Sequence, residues 1–163
     1  TADGADPCQL YKLLKDANGN AVAEASMFPL PPGGEAAAGA TIVTPLETLL
    51  TAQLSLAIDS AEAKRYPFSF CSPIGCISRV GFTADEIAAM KKGNKATVSI
   101  VPVVAPDQVV ALEISLKGFT DGFEAVLAAN LTAQAKVKAA APAAPAASQA
   151  PAAPSFGAPA SGN

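Results

Sequence analysis

The chain has 163 residues, with 11 basic and 14 acidic side chains, three cysteines, and neither histidine nor tryptophan. That length suits one domain with a sizeable core, and a net charge of −3 supplies no electrostatic footprint for nucleic acid or an anionic membrane. Without histidine, the chain excludes His-based triads, imidazole acid–base chemistry and every histidine-containing metal site.

Half of the residues are hydrophobic, but 37 are alanine, and 12 of those fall in the last 25 positions, which carry no charge. Residues 1–138 therefore read as a folded β domain. Residues 139–163, broken by Pro142, Pro145, Pro151, Pro154 and Pro159, read as a disordered Ala/Pro-rich tail. No apolar run approaches the ~18–20 residues of a membrane helix. The chain opens at Thr1 without a methionine or a charged-then-apolar leader, which suggests a processed or excised product.

In chain order, Gln9–Leu14 and Val22–Leu30 flank Asp16-Ala17-Asn18-Gly19, and Asn-Gly is the strongest short-range hairpin signal. Ala40–Thr44 is strand-like, followed by Pro45 and a Leu46/Leu49/Leu50 cluster that fits a helical turn or a bend. Leu54, Leu56 and Ile58 alternate with small or polar residues, as in a half-buried strand. Tyr66–Gly81 reads as a hairpin around Ser72-Pro73-Ile74-Gly75. Thr83-Ala84-Asp85-Glu86 is a capping box opening a short helix with Ile87 and Met90 on its apolar side. Lys91 and Lys92 suit that helix's C-terminus, and Gly93 its stop. Ala96–Val104 and Val109–Leu116 form a second hairpin, with Val98, Ile100 and Val104 expected against Leu112, Ile114 and Leu116. Asp121–Leu131 has helical spacing at Phe123, Val126 and Leu127. About eight strands and two short helices suit a mainly β fold, an antiparallel sandwich or a partly open barrel.

Cys71 and Cys76 flank the Pro/Gly turn. If their strands pair, the two sulfurs meet across its mouth, a disulfide geometry in an oxidising compartment. The alternative is two reduced, buried thiols. A Cys-x-x-Cys redox reading fails on spacing, and Cys8 has no partner left within the chain. No cofactor or metal is expected, since the sequence lacks nucleotide loops, nucleophile elbows and calcium loops. Asp85, Glu86, Asp121 and Glu124 are explained by helix starts, and Glu113 by an exposed strand face. Arg65-Tyr66 offers an anion contact only if the arginine does not simply snorkel. Phe68, Phe70, Phe82, Phe119 and Phe123 read as core.

Three segments in this order resemble the signatures of one family: Ala40-Thr-Ile-Val-Thr-Pro-Leu-Glu-Thr-Leu-Leu50 with Ile58-Asp59; Tyr66-Pro-Phe-Ser-Phe-Cys71 with Cys76; and Ser115-Leu-Lys-Gly-Phe119. From Cys8 to Leu127 the chain is similar to the invasion-associated locus B family of alphaproteobacterial envelope proteins. The resemblance implies an exported, periplasmic, mainly β domain with two short-range disulfides and no assigned catalytic activity. It aligns Cys71 and Cys76 with the second disulfide. Cys8 aligns with one half of the first, whose other half is expected upstream of Thr1 on a missing first strand. The function expected is a non-enzymatic periplasmic protein acting through a protein partner in the cell envelope. The alternatives are an accessory subunit of a membrane-embedded envelope complex and, from a different class, a carboxylate-dependent enzyme.

Overall fold

The computed structural model describes residues 7–31 and 33–140, with side chains as far as residue 135. Among these residues, nine strands form one sheet: β1 (Leu10–Lys15), β2 (Ala21–Pro29), β3 (Ala38–Thr44), β4 (Leu54–Ile58), β5 (Lys64–Tyr66), β6 (Phe68–Ser72), β7 (Gly75–Phe82), β8 (Lys95–Ile100) and β9 (Val110–Ser115). Two helices, α1 (Ala84–Lys92) and α2 (Phe119–Ala140), complete the fold. The strand order is β5-β4-β8-β9-β1-β2-β3-β7-β6, antiparallel throughout.

The two edges of this sheet, β5 and β6, are separated in sequence by Pro67 alone. One residue cannot span an open nine-stranded sheet, so the sheet curls until its edges lie side by side, making a nearly closed barrel. Proline suits the junction because it has no N–H to leave unpaired where the chain leaves one ladder for another. Its carbonyl accepts a hydrogen bond from Ser78 Oγ at 3.0 Å.

Strand alternation directs Leu14, Ile42, Leu54, Val98 and Leu112 into the barrel, where each is almost wholly buried. Phe82, from β7, and Ile87 and Met90, from α1, close the core at one end. The capping box forms as read: the Thr83 hydroxyl accepts from the Glu86 amide, and the Glu86 carboxylate accepts from the Thr83 amide at 2.8 Å. The first hairpin forms too, with Gly19 at φ +85° and the Asp16 carboxylate accepting from the Asn18 and Asn20 amides. The Asn20 side chain, then these amides, holds the Asp16 carboxyl below its usual range.

Three expectations change. α2 begins at Phe119 and continues to Ala140, so it is a long helix and the boundary drawn at residue 138 falls inside it; the tail expected beyond lies outside the described residues from Ala141 on. The hairpin expected over Ala96–Val104 and Val109–Leu116 stops early, because β8 ends at Ile100 and Pro102 cannot donate to a ladder. Val104 is consequently 80% exposed and lies outside the core that Leu112 and Leu116 join. Phe70 lies outside the core as well, at 48% exposure. A register shift between Phe68 and Phe70 keeps Phe68 against the core and turns Phe70 outward, with the Arg79 guanidinium 6.0 Å from its ring centre.

Candidate functional site

The antiparallel ladders carry four connections to the same end of the barrel: the Asp16–Asn20 turn, the loop 45–53, the Pro73-Ile74 turn and the loop 101–109. Because Pro102 interrupts β8, the last of these loops folds sideways onto loop 45–53. Leu49 N–H donates to Val101 O at 2.7 Å, and Val103 N–H donates to Glu47 O at 2.8 Å. A bridge pairs Thr48 with Pro102, and loop 45–53 closes in a single 3-10 turn, Leu50–Ala52.

Below these loops lies a knot of small polar groups. The buried Thr44 hydroxyl donates to Cys76 O at 3.2 Å, and the buried Thr48 hydroxyl donates to Pro45 O at 2.7 Å while lying 3.1 Å from Thr44 Oγ1. The Thr-Pro-Leu-Glu-Thr and Cys-x4-Cys signatures, distant in sequence, thus meet here and rigidify one end of the molecule. Cys71 and Cys76 face each other across β6 and β7 and are joined as a disulfide. Gly75 is fixed at φ +141° against the Thr44 carbonyl, which leaves no room for a Cβ.

On this rigid base the loops expose Leu46, Leu50, Ile74, Val103, Val104 and Val109. These apolar side chains lie on loops at one end, held by paired backbone, and so form an exposed apolar surface, whereas scattered single exposures would carry no meaning. This surface was not visible in the sequence, which assigned Val104 to the core; Pro102 was its one available signal.

The residues singled out for chemistry are dispersed. Glu113 faces outward and pairs with the Lys95 ammonium. Glu86 accepts from Lys64 at 2.7 Å as well as serving the cap. Burial pushes the Glu86 carboxyl up, but the bonds from Lys64 and Thr83 outweigh it and leave it below its ordinary value. Glu124 accepts from Lys91 at 2.9 Å. Asp59, from the Ile58-Asp59 signature, accepts from the Asn94 and Lys95 amides and fastens the corner between α1 and β8. Arg65 is exposed on β5, while Tyr66 packs half-buried against the core, where desolvation first and Glu86 second push its phenol up.

Cys8 has an exposed thiol with no disulfide partner among the described residues. Its backbone is gripped by Asn130 of α2, whose side-chain oxygen accepts from Cys8 N–H at 2.6 Å and whose amide donates to Cys8 O at 3.0 Å. Asn130 is buried and escaped the sequence reading, since its partner is 122 residues away. Among the described residues, no group of three or more Cys, Asp or Glu side chains is placed to hold a metal ion. None of the described helices is long and apolar enough to cross a membrane.

Comparison with known proteins gives a consistent result. A family profile described as "Invasion associated locus B (IalB) protein" matches residues 1–127. Two Brucella abortus proteins, both named invasion protein B homologues, are 43% identical over 65 residues, which is 40% of this chain and 37% of each relative. The matched segment therefore spans little more than a third of those relatives. The crystal structure of invasion associated protein B from Bartonella henselae matches with a TM-score of 0.65 over 76% of this chain and 87% of that one, at 19% identity, a likeness of fold alone. With the profile covering most of the chain and the signature segments meeting in one barrel, this chain belongs to the invasion associated locus B (IalB) family.

Proposed function

We propose that this chain is a non-enzymatic periplasmic protein that works by binding a protein partner in the cell envelope, and that the apolar loop end is its contact surface. The observation that carries this reading is the cluster of Leu46, Leu50, Ile74, Val103, Val104 and Val109 on hydrogen-bonded loops above a disulfide-pinned base. Apolar side chains presented on a rigid scaffold bind with little further loss of conformational freedom. Export to an oxidising compartment is supported by the Cys71–Cys76 bridge, since such bonds persist outside the reducing cytosol. The non-enzymatic reading is supported by what the carboxylates do. Asp59, Glu62, Asp85 and Glu86 share a groove beside α1, but Glu86 is engaged by the helix cap and Lys64, and Asp59 by the Asn94 and Lys95 amides, while Glu113 lies apart in a surface ion pair.

The test is capture from envelopes solubilised in mild detergent, comparing the native chain with a Val103→Asp/Val104→Asp variant of unchanged thermal midpoint. A protein retained by the native chain and lost by the variant is the expected result. If that protein belongs to a multi-spanning membrane complex, the accessory-subunit reading is selected. Equal capture by both chains overturns the assigned surface. Thiol alkylation checks the compartment: protein recovered from the periplasm should label at Cys71 and Cys76 only after reduction.

A further inference from the structure

Lys12 stands on the inner face of its strand. β1 pairs with β2 through Leu10↔Met27, Lys12↔Ala25 and Leu14↔Ala23, so Lys12 shares the side on which Leu14 is wholly buried. A closed barrel would not tolerate an ammonium there. Lys12 nevertheless stays exposed, because β1 and β9 meet only at Lys15↔Glu113. Every other pair of neighbouring strands is registered over at least three positions. Beyond that single bridge the two strands part, and the seam opens into a cavity of about 200 Å³ inside the barrel.

The cavity walls include Met27, Ile42, Leu56, Phe82, Met90 and Ile114, all apolar. Alanines at positions 25, 40 and 96 leave the space that larger side chains would fill. Lys12 and Lys117 stand among the lining residues, and no carboxylate does. Glu113 flanks the seam on the outer face, where Lys95 engages it.

We infer that the β1–β9 seam is a binding site for a single-chain amphiphile with an anionic head, of which a fatty acid is the simplest. The alkyl chain enters the cavity and leaves water. The carboxylate stays at the mouth, where two ammonium groups stabilise it and where it keeps part of its hydration. The volume suits one chain and not a two-chain phospholipid. The mouth lies at the Leu10 end of β1, opposite the apolar loop end, so the two surfaces are separate.

The test is calorimetric titration of the full chain with sodium decanoate, and with 1-decanol as the neutral counterpart. Decanoate should bind one-to-one and about tenfold more tightly than decanol. Lys12→Ala should weaken decanoate binding about tenfold and leave decanol unchanged. Ala25→Leu, at an unchanged thermal midpoint, should weaken both; if it does not fold, Lys12→Ala and Lys117→Ala, both at exposed positions, decide the question. Val103→Asp/Val104→Asp should not alter decanoate binding, so this site and the protein-binding surface stand or fall separately. Absence of saturable binding, or equal affinity in the native chain and the lysine variants, would overturn the assignment.

Discussion

Gly75 shows how one backbone position secures an end of the barrel. Its φ of +141° is one that L side chains rarely adopt, and a Cβ there would collide with the Thr44 carbonyl and crowd Val43. Thr44 cannot retreat, because its hydroxyl bonds Cys76 O within the buried polar knot. Gly75→Ala is expected to cost at least about 3 kcal/mol, combining backbone strain with a displaced core residue. Gly19 is the control: its φ is +85° but nothing lies near its absent Cβ, so Gly19→Ala should cost about 1–2 kcal/mol, the conformational term alone. Urea denaturation of both variants gives the comparison, and equal losses would mean that the Thr44 contact is of no consequence. Gly93 is needed for space alone: its φ is ordinary, but a Cβ would approach Asp59 Oδ2 and Ala89 O.

At the scale of elements, α1 is defined by its own first turn; buried Ile87 and Met90 pack it on the core, and Glu86 adds a polar tie to β5. That carboxylate accepts from Thr83 N–H within the helix cap and from Lys64 of β5 across the molecule. With its folded pKa lowered, Glu86 contributes stability that is present above its unfolded value, about 4.3, and is lost as the pH falls through the folded value. Glu86→Gln keeps a hydrogen-bonding cap but removes the charge. It should destabilise the domain by roughly 0.5–1 kcal/mol at neutral pH, and the gap should close as the solution is acidified through the carboxylate range. Chemical denaturation at a series of pH values measures this, and a gap that widened in acid would refute the assignment. α2 is attached differently, through stacked Phe119 and Phe123, the Asn130 grip on Cys8 and the Lys91–Glu124 pair.

For the whole molecule, the closed arc of the sheet and the open seam predict uneven local stability. β3 is bonded along its length to β2 on one side and β7 on the other, while β1 meets β9 at a single registered pair. Amides of β1 and β9 that face the seam should therefore exchange with solvent well before those of β3, because local opening there breaks few contacts. Hydrogen exchange of the native chain resolves the strands, and protection at the seam equal to that of β3 would show that the barrel is closed in solution. Protection of the same amides by bound decanoate would link the seam to its proposed ligand.

The amino-acid sequence by itself determined the features whose partners lie a few residues apart. These include the Asn18-Gly19 turn, the Thr83–Glu86 capping box, the alternation of Leu54, Leu56 and Ile58, and the opposition of Cys71 and Cys76 across a Pro/Gly turn. Each depends on local geometry that a short segment realises alone. The family was legible too, since its signatures are contiguous runs. Only the tertiary structure decided that β5 and β6 are the two edges of one sheet, that loop 101–109 folds onto loop 45–53, and that Asn130 clasps Cys8. Lys12 is the clearest case. Its spacing from Leu10 and Leu14 marks it as inward-facing, yet a strand read alone cannot say whether its inner face is sealed. That depends on β9, which arrives almost a hundred residues later and pairs with β1 at one position, because strand pairing is a contact between segments and periodicity records only which face of each is apolar.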